Sequence, residues 1–264
     1  MKAKELSIVL TALVLTHLFY VPQIFAAPHK KEFASKEQIK NDAYHFKLKE
    51  IPNHAWGDIK NTFWGKNGLI LLLGTASSLG FLPADESIRS NLNNNPTLST
   101  SFDKHVGQIF SPYTIGGASL VTFIVGTQVD NPRFSLASES LMESWTLSMG
   151  VTAALKYSIS RKRPNGSNYS MPSAHTAAVF STATVLSEFY GIKAAIPSYA
   201  IAGLVAYSRI DGHYHNLTDV LIGALIGTVS GIGTSEFHKQ SHANFFLIPE
   251  VSNNSATLTY YKNF

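Results

Sequence analysis

Three short blocks in the second half of the chain carry residue types suited to phosphate chemistry. In order they read Lys156, six residues, Arg163-Pro164; then Pro172-Ser173-Ala174-His175; then Ser208-Arg209, five residues, His215, three residues and Asp219. Together the blocks contain three cations, two histidines, one carboxylate and a serine that precedes an apolar segment. Such a set can grip a phosphoryl group and transfer it to a histidine without a metal or a cofactor.

The three cations, Lys156, Arg163 and Arg209, suit the electrostatics of phosphoryl transfer. The charge of a phosphoryl group in flight spreads over three equatorial oxygens, so catalysis depends on positioning and electrostatic stabilisation. Arginine offers a planar fork for bidentate contacts, and lysine offers a compact charge. Because Pro164 and Gly166 break the helical pattern, we expect Lys156 to end a helix and Arg163 to lie in a loop. Any one of these cations, taken singly, would be interpreted as an ordinary surface charge.

The second block predicts the start of a helix. Ser173 precedes an apolar run and is a good N-cap residue. The backbone N–H groups of Ala174 and His175 would then lack partners inside the helix. A helix start of this kind can bind an anion through its free N–H groups and its dipole, although simple capping explains the same pattern.

The third block pairs an imidazole with an acid. His215 and Asp219 are four residues apart, close enough on a helix for the carboxylate to hold one ring nitrogen and leave the other free to attack. His213 and Asp211 are the competing candidates, but His213 lies off that helical face and reads as a pocket or loop residue. His175 would then protonate the leaving oxygen and afterwards activate water.

No further histidine is assigned a chemical role by the pattern. A structural or solvated role is expected for His17, His29, His45, His54, His105, His238 and His242. No His-Glu-x-x-His motif and no paired carboxylate cluster stands out, so neither a metal site nor a cofactor is expected.

Composition places the chain among helical or membrane proteins. Its 264 residues can bury one core, and 45% are hydrophobic while only 14% are charged. The net charge is +4 and no basic stretch is interleaved with aromatic residues, so a nucleic-acid partner is not expected. The absence of cysteine excludes thiol catalysis, disulfides and cysteine-ligated zinc. Nothing in the pattern indicates an oligomeric state.

Apolar stretches rich in Ala, Leu and Gly, and longer than typical strands, favour helices. They are Leu69–Leu82, Tyr113–Val129, Leu136–Tyr157, Ala174–Tyr190, Ala194–Tyr207 and Leu217–Gly233. The expected fold class is therefore all-α, a bundle of about six core helices. Alternating residues at Phe245–Val251 and Thr257–Tyr261 add a possible short C-terminal β-hairpin.

The remaining segments complete the expected domain organisation. Residues 1–26 read as a signal peptide or an uncleaved anchor, since Lys2 and Lys4 precede an apolar run. Residues 27–62 are polar and rich in lysine, which predicts a solvated arm. Residues Asp85–Ser111 predict a loop by composition. The catalytic domain is expected at 63–235, followed by a tail at 236–264.

An exported amino terminus places the protein in a bacterial cell envelope. Glycosylation sequons at Asn165, Asn168 and Asn216 lie in or beside the blocks, where a glycan would obstruct them, so a glycosylating secretory pathway is disfavoured. Several apolar runs are shorter than the roughly 18 to 20 residues that a span needs. We therefore narrowly favour a periplasmic domain, soluble or on the membrane surface, over an integral enzyme with its site facing the periplasm.

In order and spacing, the three blocks resemble the type 2 phosphatidic acid phosphatase (PAP2) superfamily, which includes acid phosphatases, lipid phosphatases and vanadium haloperoxidases. The resemblance covers roughly residues 110–235, and Ala174 stands where the family usually has glycine. It implies an all-helical core around a pocket, with His215 as phosphohistidine nucleophile, Asp219 as its orienter and His175 as acid. The implied phosphate ligands are Lys156, Arg163, Ser173, Ala174 and Arg209.

The expected activity is that of a metal-independent phosphatase acting on phosphomonoesters or pyrophosphates, of envelope lipids or of small phosphoesters. One alternative is a haloperoxidase that holds vanadate in the same cradle, although such enzymes tend to be longer. The other is a non-catalytic protein that binds phospholipid head groups. The combination of nucleophile, acid and orienter argues against the second alternative.

Overall fold

The structure, a computed structural model, describes residues 51–94, 96–241, 245–252 and 255–262. The helices are α1 (Ile51–Phe63), α2 (Gly65–Leu79), α3 (Ala84–Asn94), α4 (Thr100–Ile109), α5 (Pro112–Gly126), α6 (Pro132–Ile159), α7 (Ala174–Tyr190), α8 (Ile192–Asp211) and α9 (Leu217–Ser241). Two strands, β1 (Phe245–Ser252) and β2 (Ser255–Lys262), pair antiparallel. The all-α class is confirmed for the helical body, which alone carries the site described below.

Every predicted helical stretch lies on a helix, with ends that differ by at most four residues except that α9 continues eight residues beyond Gly233. The centre of the bundle is α7, which packs against α6, α8 and α9. Three glycines of α9 allow an unusually close approach to α7. A Cβ at Gly223, Gly227 or Gly231 would lie 2.5 Å from the Ser173 carbonyl oxygen, 2.3 Å from that of Ala177 or 2.7 Å from Thr184 Cβ. This contact holds the first turns of α7 and α9 side by side.

The loop predicted for Asp85–Ser111 is wrong, because most of that segment forms α3 and α4. The first turn of each helix is stabilised by nearby residues. Asp85 and Glu86 lie in the first turn of α3, and Ser99 caps α4 by accepting the Phe102 N–H. Ile88 and Val106 are buried in the core cluster that includes residues of α8. The polar composition reflects the outer faces of two amphipathic helices.

The solvated arm predicted for 27–62 does not extend to its last twelve residues, 51–62, which belong to α1. This helix buries His54, Asp58 and Thr62 and packs along α9. A Cβ at Gly57 would overlap the Phe237 ring, so the two helices are in close contact. Residues 51–62 are therefore part of the helical body. The signal peptide or anchor at 1–26 and the rest of the arm lie outside the described residues.

Two segments of the described helices are long and apolar enough to cross a membrane, Thr100–Gly126 and Leu217–Gln240. A third would be the pair Gly65–Leu79 and Ala84–Leu92, bent by 64°. Along the first segment Tyr113, Val121 and Ile124 point away from the body with more than half of their surface exposed. Such outward apolar surface suits lipid rather than water. These helices therefore suit a membrane protein, and the narrow preference for a soluble or surface-bound domain is set aside.

Candidate active site

The three blocks converge where α6 and α8 end and α7 and α9 begin. The Ser173 N–H donates to the Asp219 carbonyl oxygen at 2.9 Å, which joins the second block to the third. The charges of Lys156 and Arg163 act on the His215 ring, and those of Arg209 and His215 act on His175. The predicted site residues thus lie in one cluster, although they come from four elements.

Lys156 and Arg163 lie on either side of the end of α6, as predicted. Lys156 is in the last turn, and the helix ends at Ile159 with Ser160 in the left-handed conformation. The Lys156 ammonium donates to the Tyr169 carbonyl at 2.6 Å, and Arg163 Nε donates to the Asn168 carbonyl at 3.1 Å. Burial, together with the charge of Arg163, lowers the pKa of Lys156 to about 8. Both cations are held against the loop, where an anion would compete for their N–H groups.

Ser173 caps α7, which confirms the prediction. Its side chain is fully buried and accepts the Thr176 N–H. His175, in the first turn, has its Nε2 at 3.1 Å from the Gly107 carbonyl oxygen of α4. Burial, together with the Arg209 charge, lowers the pKa of His175 to about 4. The ring is therefore neutral at pH 7 in this arrangement.

Arg209 is almost wholly buried at the end of α8, and its guanidinium has hydrogen-bond acceptors and an aromatic ring around it. It donates to the Asp103 carbonyl at 2.6 Å and to Ser208 Oγ at 3.0 Å. Its Cζ lies 4.8 Å from the centroid of the Tyr214 ring, within cation–π range. A Cβ at Gly107 would lie 2.3 Å from Arg209 Nη1. A larger residue than glycine at position 107 would therefore displace this cation.

His215 is 2% exposed, and its Nδ1 lies 3.8 Å from Asp219 Oδ2. That distance is too long for a hydrogen bond, so the role of Asp219 as orienter stays a prediction. Burial, with the charges of Arg163 and Lys156, lowers the pKa of His215 to about 4 against the opposing effect of Asp219. The imidazole is thus neutral at physiological pH, which is the form able to act as a nucleophile.

Asp219 is bound mainly by donors other than His215. Its Oδ2 accepts the Ser170 hydroxyl and, at 2.8 Å, the Asn216 backbone N–H, while its Oδ1 accepts Arg161 Nη1 at 2.8 Å. The bond to Asn216 caps the start of α9. Asp219 therefore fixes the backbone that carries His215, whatever it contributes to the ring itself.

Arg161 and Asp85 are site residues that sequence reasoning missed. Arg161 Nη2 donates to Asp85 Oδ2 at 2.8 Å, and Asp85 Oδ1 accepts the Thr218 N–H at 3.0 Å. Arg161 thus bridges two carboxylates on α3 and α9. Its position two residues before Arg163 was the available signal, whereas Asp85 fell in the segment read as a loop.

Replacing Arg161 with alanine should destabilise the protein by about 3 kcal/mol, because it leaves the Asp85 and Asp219 carboxylates buried without their shared cation. The thermal midpoint in detergent measures this loss. Lys162→Ala removes the same charge from the neighbouring exposed position and serves as the control. Equal midpoints for the two variants would contradict a structural role for the bridge.

The competing candidates occupy other positions. Asp211 accepts the Thr97 and Leu98 backbone N–H groups at 3.1 and 2.9 Å, so it holds the chain segment before α4. His213 lies in the turn after α8 with a φ of 60°. Among the described residues, the one group of His and Glu side chains close enough together to share a metal ion lies away from this site.

Comparison with known proteins adds independent information on this region. Residues 139–243 match the sequence profile of the PAP2 superfamily. A stretch of 86 residues is 38% identical to lipid A 1-phosphatase of Porphyromonas gingivalis, covering 31% of this chain and 19% of that protein. The chain thus spans about a fifth of the length of this curated relative.

Two crystal structures share the fold. LpxE from Aquifex aeolicus is 25% identical with a TM-score of 0.50, covering 58% of this chain and 95% of the other. The first transmembrane PAP2 type phosphatidylglycerolphosphate phosphatase, from Bacillus subtilis, is 16% identical with a TM-score of 0.54, covering 70% and 97%. At 16% identity the second likeness shows the fold alone.

Proposed function

We propose that the chain, whose residues 139–243 match the PAP2 superfamily profile, is a phosphatase that removes phosphate from envelope lipids through a phosphohistidine intermediate. The observation that carries the proposal is the convergence of a buried neutral His215 with Lys156, Arg163, Arg209 and His175. A neutral imidazole among fixed cations is suited to attack an anionic phosphoryl group, since the cations offset the charge repulsion.

The proposed reaction has two steps. One nitrogen of the His215 ring attacks phosphorus in line with the leaving oxygen; the N–P bond forms as the P–O bond to the lipid breaks, and His175 gives a proton to that oxygen. Water, deprotonated by His175, then attacks the phosphohistidine, releasing inorganic phosphate and neutral His215. Arg163, Arg209 and Lys156 hold the equatorial oxygens throughout, with the backbone N–H groups at Ala174 and His175 as further donors.

The low pKa of His175 leads to a prediction about how the rate depends on pH. At about 4, the ring is largely neutral near pH 7, yet a proton donor must be charged. A bound phosphate dianion would favour the charged imidazolium and raise this pKa by about 1 to 3 units. The alkaline limb of kcat should therefore lie at higher pH than that of kcat/KM. Superimposable alkaline limbs, or an unchanged limb in His175→Ala, would contradict His175 as the donor.

The proposed substrate is a phosphorylated lipid. The relative that is 38% identical over 86 residues is lipid A 1-phosphatase, which favours a lipid phosphoester. This chain adds outward apolar surface on helices long enough to span a membrane, which would bring a lipid head group close to the site. We further propose that the site faces the periplasm, in keeping with the export signal predicted at residues 1–26.

Phosphate release from a substrate panel tests the function. The purified full chain is offered lipid A carrying a 1-phosphate, phosphatidylglycerolphosphate, a lipid pyrophosphate and p-nitrophenyl phosphate, without added metal. His215→Ala protein, prepared identically, reports contaminating phosphatase. We expect lipid substrates to have the highest kcat/KM and vanadate to compete with them, because five-coordinate vanadate mimics the transition state. No turnover of any phosphoester, or insensitivity to millimolar vanadate, would overturn the proposal.

A further inference from the structure

A second cluster of ionisable side chains lies far from the candidate active site. His54 on α1, Glu139 and Glu143 on α6 and His238 on α9 converge, and their ligand atoms all lie within 4.8 Å of one another. His238 lies 19 residues beyond Asp219 on the same helix, a distance of roughly 28 Å along the axis. The cluster therefore belongs to the opposite end of the bundle and takes no part in the proposed phosphatase reaction.

The four side chains contact one another through several of their nitrogen and oxygen atoms. His54 Nδ1 lies 3.0 Å from Glu139 Oε1 and 3.6 Å from Glu143 Oε1, and His238 Nδ1 lies 3.8 Å from Glu139 Oε2. His238 Nε2 also contacts Glu143. Ligands of a tetrahedral ion with bonds of about 2.0–2.1 Å are roughly 3.3 Å apart. Small side-chain shifts would thus bring these atoms into coordinating positions.

The cluster is costly to bury without a compensating charge. Glu139 and His238 are at most 1% exposed, His54 is 6% exposed, and only Glu143 reaches solvent to a moderate extent. Glu139 and Glu143 are four residues apart on one helix, an arrangement in which like charges repel. Asp58 of α1 is also buried, and its carboxyl group shares a hydrogen bond with Glu143, while its Oδ1 has no partner among the described residues. Three carboxylates thus share one buried region.

We propose that His54, Glu139, Glu143 and His238 bind a divalent first-row transition ion, with zinc as the best fit. Two imidazole nitrogens and two carboxylate oxygens form a donor set typical of zinc, whereas magnesium and calcium prefer oxygen alone. Four protein ligands fill a tetrahedral shell and leave no position for a substrate, which indicates a structural site. The ion joins α1 to α6 and α9 and offsets the charge of the buried carboxylates.

Metal content tests this site directly. The full chain is purified in detergent without a polyhistidine tag, equilibrated with zinc, dialysed against metal-free buffer and measured by mass spectrometry for metal per chain. We expect about one ion per wild-type chain, as for a closed four-ligand site. Loss of at least about ten-fold in affinity is expected for Glu139→Gln and for His238→Ala. His105→Ala, which removes an exposed histidine elsewhere, should retain the ion.

A second readout keeps the proposal testable if the variants fold poorly. Cobalt bound to the wild-type chain should give the intense visible absorption of a tetrahedral ion, and zinc should abolish it by competition. Prolonged chelation should lower the thermal midpoint of the wild-type chain and leave that of a folded Glu139→Gln variant unchanged. Folded wild-type protein that retains no ion, or a cobalt spectrum that persists in Glu139→Gln, would overturn the proposal. Phosphate release is not used as a readout, so failure of the proposed phosphatase function would leave this test intact.

Discussion

Replacing His215 with alanine is expected to lower phosphate release by on the order of 10⁴-fold or more, since it removes the proposed nucleophile itself. It should also abolish any phosphoenzyme trapped from labelled substrate after rapid quenching at alkaline pH, where phosphohistidine survives. The loss should be as large with p-nitrophenyl phosphate as with a lipid substrate. No leaving group, however good, substitutes for the attacking nitrogen.

His213→Ala is the matched control for that result. His213 lies two residues away, in the turn between α8 and α9, and has no proposed chemical role. Its substitution should leave the phosphoenzyme intact. Full activity in His215→Ala, or a phosphoenzyme mapped to His213, would show that the wrong imidazole has been assigned.

Replacing His175 with alanine should give a loss that depends on the leaving group. General acid catalysis contributes about 10² to 10⁴-fold, so hydrolysis of an alkyl phosphate such as a lipid substrate should fall by that amount. Phosphorylation of His215 by p-nitrophenyl phosphate should fall far less, because nitrophenolate leaves without a proton. Water attack then lacks its base, so a burst of nitrophenol and an accumulating phosphoenzyme are expected.

Stopped-flow release of nitrophenol, with a quenched assay for phosphoenzyme, measures both features. His105→Ala provides a histidine control on α4, the helix whose Gly107 carbonyl contacts His175. Equal losses for good and poor leaving groups would indicate that His175 positions the phosphate and does not donate a proton. The same result would require another donor at the site.

Local sequence was sufficient to predict how helices begin and end around the candidate site. The cap at Ser173 and the end of α6 just beyond Lys156 depend on interactions within a few residues, and short patterns encode such interactions. The six apolar stretches similarly predicted their helices, because length and Ala, Leu and Gly content are properties of each segment alone. The errors at 51–62 and 85–111 arose where amphipathic helices are polar enough to read as solvated chain.

Tertiary structure alone decided which distant residues meet. Arg161 reaches Asp85 across 76 positions of sequence, and His175 contacts the carbonyl of Gly107 across 68. The cluster of His54, Glu139, Glu143 and His238 brings three helices together. The spacing of these four residues in the sequence matches no metal-binding motif. A periodic pattern shows which face of a helix is buried but not which helix covers it. That choice depends on close approaches such as the one that the α9 glycines allow, which no single segment encodes.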